Sequence, residues 1–299
     1  MALLILLHEV IKIKTFYITQ GQNSMFKTIK IEDNICKIYN LSEKANIKKV
    51  EKTVKKMHKA NINAAIISRE LHVNTQFINM LNIYDITVFD GKWLGENLIL
   101  DLIHYLEQRG VILKDGEVSI LANDLTENIK GNVKQLSSEF KRVKIITNHE
   151  EKFRKLESDL YNQTGIPLII SNNKKKSLLK SKLIINFDFV EEEVNKYNIN
   201  ENAIIISLND KVKINKKRFN GIIITDYEVK SNPEFNYTDL EEEFYRKEIY
   251  EGKIYNELCH RNDISEASCS KFEKIRSIIK ESQITIETIY GTNGIITLI

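Results

Sequence analysis

The sequence predicts an α/β fold: a small N-terminal βαβαβα domain, a doubly wound and mostly parallel domain after it, and C-terminal helices. Three observations carry this. Strand-like runs alternate with helix-like stripes from Ile35 to Thr225, as parallel strands joined by crossovers require. Several of those runs are apolar throughout, Ala64-Ala65-Ile66-Ile67 above all, which suits strands buried on both faces. Gly110 and Gly165 stand at the ends of helical stripes, where a left-handed cap belongs.

The first domain is expected over residues 26–112. Ile35 to Leu41 reads as a strand, and Ser42 is placed to cap the helix after it. Ile47, Val50, Val54 and Met57 recur at helical spacing, with Lys48, Lys49, Lys52, Lys55 and Lys56 mainly on the opposite, solvated face. Asn63 to Ser68 is the next strand, Phe77, Ile78 and Leu81 mark a short helix, and Ile86 to Phe89 is a third strand. A helix from Lys92 to Gln108 carries Trp93, Leu94, Leu98, Leu102, Ile103 and Leu106. Residues 1–25 are expected to be an N-terminal extension, because a patterned segment begins right after Met25. Both Met1 and Met25 remain open as starts. The apolar run Leu3 to Leu7 is too short to span a bilayer, and no basic region precedes it.

The second domain is expected over residues 113–232, opening at the turn Lys114-Asp115-Gly116. Strands are predicted at Val118–Leu121, Val143–Thr147, Ile166–Ser171, Leu183–Phe187, Ala203–Ser207 and Gly221–Thr225. Helical stripes run through Ile129, Val133, Leu136 and Phe140, and through Phe153, Leu156, Leu160 and Tyr161. Ser177 to Leu179 reads as a short helical turn. The layout is Rossmann-like. Residues 233–299 form a helical segment, with helices over Tyr237–Leu258 and Glu266–Glu281. It ends in two β-rich runs around Gly291-Thr292-Asn293-Gly294, a hairpin signal.

Composition narrows the function classes. The chain has 299 residues, 42% hydrophobic and 28% charged, which suits about two globular domains. The net charge of +3, from 44 basic and 41 acidic residues, is too small to imply a nucleic-acid partner. Cys36, Cys259 and Cys269 form no C-x-x-C pair, so neither a zinc site nor a disulfide framework is supported, and a reducing cytoplasm is expected. Abundant lysine, isoleucine and asparagine are what AT-rich coding DNA produces. The chain as a whole looks most like a protein of low-GC, clostridia-like bacteria, which brings no activity with it.

Three stretches point to a family. One reads Val143-Lys144-Ile145-Ile146-Thr147-Asn148-His149-Glu150-Glu151-Lys152-Phe153, then Leu156; another Lys182-Leu183-Ile184-Ile185-Asn186; the third is Ala203 to Ser207. Within Val118 to Val229 these resemble the dinucleotide-binding domain of the shikimate dehydrogenase and glutamyl-tRNA reductase group. In that group the second strand ends in Asn-Arg-Thr and the fourth in Asn just before the cofactor. The resemblance implies an NAD(P) site, and two departures oppose it. The family's Gly-x-Gly loop is here Ala122-Asn123-Asp124-Leu125-Thr126-Glu127-Asn128, with no glycine before Gly131. Side chains there block close approach of a pyrophosphate, and Asp124 and Glu127 add negative charge beside it. Capping the next helix is the simpler task for Asn123 or Asp124. His149 stands where NADP-using relatives place an arginine, and no acid ends the second strand, where NAD users hold the ribose.

Candidate site residues follow from position. Ligands of doubly wound sheets bind at the carboxyl ends of the strands. Asn123, Asn148, His149, Asn186 and Asp188 are all predicted there, where they line one crevice or cap turns. None of the six histidines has metal-ligand spacing. Ser177-x-x-Lys180 lacks an oxyanion loop. The leading expectation is a non-catalytic cytoplasmic protein that acts through a protein partner or by sensing a small ligand, with no cofactor. The alternative is an NAD(P)-dependent oxidoreductase with an atypical loop. A third is nucleic-acid binding through the Lys48–Lys56 helix and the Lys174–Lys176 loop.

Overall fold

A computed structural model describes residues 15–21, 25–31, 34–42, 47–59, 62–111, 116–208, 211–232, 243–261 and 270–298. The Leu3–Leu7 run, the Lys114-Asp115 turn, Tyr237, Glu266 and Cys269 lie outside them. The described residues pack as two compact units. One takes the described residues within Met1–Trp93, Ser231–Cys269 and Ser277–Gln283, the other those within Leu94–Lys230, Ser270–Arg276 and Ile284–Ile299.

The first unit holds a five-stranded sheet. Its strands are β1 (Thr15–Gly21), β2 (Met25–Ile31), β3 (Asn34–Ser42), β4 (Ala64–Ile67) and β5 (Thr87–Phe89). Their order is β2-β3-β1-β4-β5, with only β2 antiparallel to its neighbour. β1 departs from the expected extension: Thr15–Gly21 pairs on both sides, between β3 and β4. Its run Thr-Phe-Tyr-Ile-Thr is rich in β-branched and aromatic residues, so the strand signal was present. Ser42 is also corrected. It ends β3, paired with Gly21, five residues before helix α1 (Ile47–Lys59), and so is not that helix's cap.

The run Ala64–Ile67 explains itself in the packing. Ala65 and Ile67 face a core with Ile18, Leu41, Val54, Met57, Phe77 of α2 (Thr75–Ile83) and Leu81. Ala64 and Ile66 face the other side, with Tyr17, Phe89, Phe244 and Ile249. Alternation along a strand sends neighbours to opposite faces, so a strand covered on both needs apolar residues throughout. The second cover is helix α8 (Arg246–Arg261), from late in the chain. It starts later than Tyr237, since Glu243–Tyr245 are not helical. The lysines of α1 are exposed, as its amphipathic pattern requires.

Lys92–Gln108 is two helices rather than one: α3 (Lys92–Asn97) and α4 (Ile99–Glu107). The change of unit falls at residues 93–94, ahead of the expected boundary at 112–113. The reason is local, because α4 packs on the second unit. Tyr105 Oη donates to the Glu287 carbonyl at 3.2 Å.

The second unit holds six parallel strands: β6 (Glu117–Leu121), β7 (Arg142–Ile146), β8 (Leu168–Ser171), β9 (Leu183–Asn186), β10 (Ile204–Ser207) and β11 (Ile222–Ile224). Their spatial order is β8-β7-β6-β9-β10-β11. Counted within this sheet that is 3-2-1-4-5-6, the doubly wound Rossmann order, with the reversal between β6 and β9. Helices α5 (Glu127–Glu139), α6 (Glu150–Thr164) and the single turn α7 (Glu191–Val194) supply crossovers. Gly165 caps α6 at φ 71°, its N–H bonded to the Tyr161 carbonyl. Residues 174–180 form turns, not the expected helical piece. A small antiparallel sheet joins β12 (Asp226–Lys230), β13 (Thr285–Gly291) and β14 (Gly294–Ile295). Thr292-Asn293 makes the turn the sequence predicts.

Gly131, the first glycine after β6, has a packing role. A Cβ there would lie 2.3 Å from the ring of Phe272, on α9 (Lys271–Glu281). Ala is a better helix former than Gly by about 1 kcal/mol, while overpacking costs about 1–3 kcal/mol. Gly131→Ala is therefore expected to lower the unfolding free energy by up to about 2 kcal/mol in urea titration. In a Phe272→Ala background the same change should be neutral or stabilising. Equal destabilisation in both backgrounds would refute the contact.

Candidate functional site

The site lies at the carboxyl end of the six-stranded sheet, and strand register assembles it. Leu121 of β6 pairs with both Ile146 of β7 and Asn186 of β9. Asn123, Asn148 and Asp188 each follow one of these residues by two positions. Three side chains on three strand-ends are thereby brought to one level, across the point where the strand order reverses.

The first strand-to-helix loop donates to a carboxylate of the protein itself. The Asn123 N–H lies 2.8 Å from both Asp188 oxygens, and the Asp124 N–H lies 2.9 Å from Oδ2. In a dinucleotide-binding domain, amides of this loop face the pyrophosphate. The cap of α5 is Thr126, whose hydroxyl accepts from the Ile129 N–H at 3.2 Å. This corrects the expectation that Asn123 or Asp124 caps that helix: they precede it by too much, and their amides are turned to Asp188.

The other groups close on one another. Asn123 Oδ1 accepts from the Asn148 N–H at 3.0 Å and from Asn148 Nδ2 at 3.2 Å. Both side-chain amides donate to Glu193 at the end of α7, Asn123 at 3.3 Å and Asn148 by a short bond. Lys152 pairs with Asp124. Asn186 is buried and shapes the next turn. Its amide donates to the Phe189 carbonyl at 2.8 Å and to Ser207 Oγ at 2.9 Å, and its Oδ1 accepts from the Phe189 N–H. Asn186 therefore aims the loop that carries Asp188 and does not line open space. His149 stands apart, half exposed, with Nδ1 3.7 Å from a Glu151 oxygen. Its N–H is held by Thr147 Oγ1 at 3.0 Å. Of the five predicted residues, the structure joins Asn123, Asn148 and Asp188, gives Asn186 a supporting place, and leaves His149 at the rim.

Burial raises the Asp188 pKa above its ordinary 3.8, and the Asp124 and Glu193 carboxylates push the same way against the two amide bonds. Asp124 is held below its ordinary value by the hydrogen bond and charge of Lys152. The cluster can accept protons and hydrogen bonds, and its inward-facing groups serve each other.

Sequence reading missed Glu193, the acceptor both asparagines share. It sits in an acidic run, Glu191-Glu192-Glu193, that reads as plain solvated surface. An acid–base pair in the first unit was also missed: His72 Nε2 lies 3.0 Å from Glu248 Oε1, across 176 residues of chain. Glu248 is 1% exposed, and burial raises its pKa. The His72 ring meets Tyr245 edge-on at 5.4 Å, and Arg69 donates to the Phe244 carbonyl at 3.2 Å. These contacts fasten the start of α8 to the 3₁₀ turn Arg69–Val73. Ser177 of the Ser-x-x-Lys motif is buried, its hydroxyl 2.9 Å from that of Ser171. Among the described residues no group of three His, Cys, Asp or Glu is placed to hold a metal ion. Among them too, no helix is long and apolar enough to cross a membrane.

No family model matches the chain, and no curated protein matches it. Similar solved structures include a shikimate dehydrogenase in complex with NADP+, at 9% identity and a TM-score of 0.35, over 91% of this chain and 96% of that one. A shikimate 5-dehydrogenase from Listeria monocytogenes, in complex with shikimate and NAD, has 9% identity and a TM-score of 0.29, over 65% and 78%. The ornithine transcarbamoylase from Giardia lamblia has 8% identity and a TM-score of 0.31, over 65% and 72%. At these values the likeness carries neither activity nor ligand to this chain.

Asp188→Ala strips the acceptor from the part-buried Asn123 amide and from the more exposed Asp124 amide and is expected to cost about 1–3 kcal/mol of stability, read by chemical unfolding; a loss near zero would contradict the bonding described. The raised pKa fixes a pH dependence. A carboxyl whose folded pKa is raised contributes stability that is full below its unfolded value, 3.8, and lost as pH rises through the folded value. The unfolding free energy of wild type minus that of Asp188→Asn should therefore fall with rising pH across that window. A rising difference would reverse the assignment.

Proposed function

We propose that this chain is a non-catalytic, cytoplasmic binding protein, acting through a protein partner or by sensing a small ligand. Its Rossmann-like unit serves as scaffold and not as a dinucleotide site. The observation that carries this is the Asp188 carboxylate on the Asn123 and Asp124 amides. A pyrophosphate seated there would have to displace a side chain that already satisfies the donors, and would meet Asp124 and Glu193 beside it. The loop side chains add bulk where glycines would admit the phosphates.

A second reading is an NAD(P)-dependent oxidoreductase with an atypical phosphate loop. It is favoured by the 3-2-1-4-5-6 strand order, with polar residues gathered at the reversal between β6 and β9. In this reading the Asp188 loop swings aside to admit the cofactor.

One experiment separates the two. A ligand bound only by the native state raises the melting temperature by mass action. Purified protein with millimolar NADPH or NADH is expected to melt at its ligand-free temperature, and with NADP+ or NAD+ as hydride acceptor it is expected to oxidise no shikimate-like hydroxy acid or amino acid. A saturable upward shift, or turnover, would overturn the proposal in favour of the oxidoreductase.

A further inference from the structure

The opposite end of the same sheet holds a cavity of about 290 Å³. It is walled by the connections that enter β9, β10 and β11: Leu179 before the first, Asn198 to Glu201 before the second, Lys216 to Phe219 before the third. Its size is at the lower end for small-ligand sites, about 300–1,000 Å³. The candidate site already described lies at the carboxyl ends of these strands, so the two share no residue.

The cavity combines apolar and cationic surface. Phe219 packs against the Tyr197 and Ile199 core on one side and remains partly exposed on the other. Its ring sits over Gly221, where a Cβ would come within 2.7 Å of it. Leu179, 48% exposed, supplies a second apolar wall. Lys217 and Arg218 are exposed cations in the lining, and Lys216 is anchored by donating to the Tyr197 carbonyl. Burial lowers the Lys216 pKa. One carboxylate, Glu201, shares the lining with these three cations.

The loop of Lys174, Lys175 and Lys176 belongs to this place as well. Asn198, in the lining, donates its N–H to the Lys174 carbonyl at 2.8 Å and its side-chain amide to the Lys175 carbonyl at 3.4 Å. The lysine run is thus tied by its backbone to the cavity wall, with its side chains exposed. Two basic segments far apart in sequence meet at one apolar hollow.

We propose that this cavity binds a nucleoside diphosphate. An aromatic ring beside an aliphatic side chain offers a face for a base to stack on. Adjacent Lys and Arg side chains give charge-assisted bonds to phosphate oxygens. Glu201 and Asn198 are acceptors for ribose hydroxyls or an exocyclic amine, groups that a bare polyphosphate lacks. A hollow of this size takes one nucleotide and not a tract of strand.

Calorimetric titration of the full chain tests this, with ADP, adenosine, inorganic pyrophosphate and a single-stranded oligoribonucleotide as probes. ADP is expected to bind more tightly than adenosine or pyrophosphate, with affinity falling as salt is added. Lys217→Ala/Arg218→Ala should weaken ADP at least about tenfold at an unchanged melting temperature. Lys52→Ala/Lys56→Ala, which removes the same charge from α1, should leave it as it was. Absence of ADP binding at millimolar concentration, or ADP binding indifferent to the Lys217/Arg218 pair, overturns the proposal. Pyrophosphate binding as tightly as ADP reduces the site to an anion cluster and overturns the nucleoside assignment. Tighter binding of the oligoribonucleotide than of ADP, lost in the same variant, assigns the surface to nucleic acid instead.

Discussion

Two backbone amides and one carboxylate organise the carboxyl end of the six-stranded sheet. The Asn123 and Asp124 N–H groups have left β6 and are not yet part of α5, so neither the sheet nor the helix ladder satisfies them. Buried or part-buried donors need a partner. In dinucleotide-binding domains with this strand order that partnership falls to a phosphate. Here Asp188 takes it, and the rest follows. Asn186 has to bend the β9 exit so that Asp188 arrives at the right height, while Asn123 and Asn148 turn to each other and to Glu193. The gap at the strand reversal becomes part of the protein's own bonding.

The fold of this unit was readable from the residues because its cause is local and periodic. Apolar runs of four or five residues, helical stripes and a glycine cap at Gly165 each have a short-range physical origin, and the structure holds strands and helices at those places. The first unit was harder. Its sheet is covered on one face by α8, well over a hundred residues further along, and no periodicity within either segment announces that pairing. β1 was overlooked for a different reason. Thr15–Gly21 lies between the apolar run Leu3–Leu7 and the patterned segment after Met25, both stronger signals, although its own residues favour a strand. Lys92–Gln108 read as one helix because its apolar stripe runs unbroken past Leu98, where the backbone changes course.

The candidate site was half readable. Position at strand ends named Asn123, Asn148, Asn186 and Asp188, since register places residues at equal offsets beyond paired positions. Their partners were not readable. An asparagine after a strand can cap, turn or bind, and only the three-dimensional neighbours decide. Asn186 makes a turn, Asn148 makes a bridge, and His149, with the best positional case among the histidines, takes part in neither. Glu193 and the His72–Glu248 pair were invisible because their meaning lies wholly in contacts across the chain.

Backbone amide shifts of Asn123 and Asp124, followed by heteronuclear NMR as NADPH is added to millimolar concentration, test the central point most directly. If Asp188 occupies the phosphate position, both resonances stay at their ligand-free positions while Asp188→Gly, which frees the donors, shows them moving. Saturable movement of both resonances in the wild-type chain would show that a pyrophosphate displaces Asp188, and would contradict it.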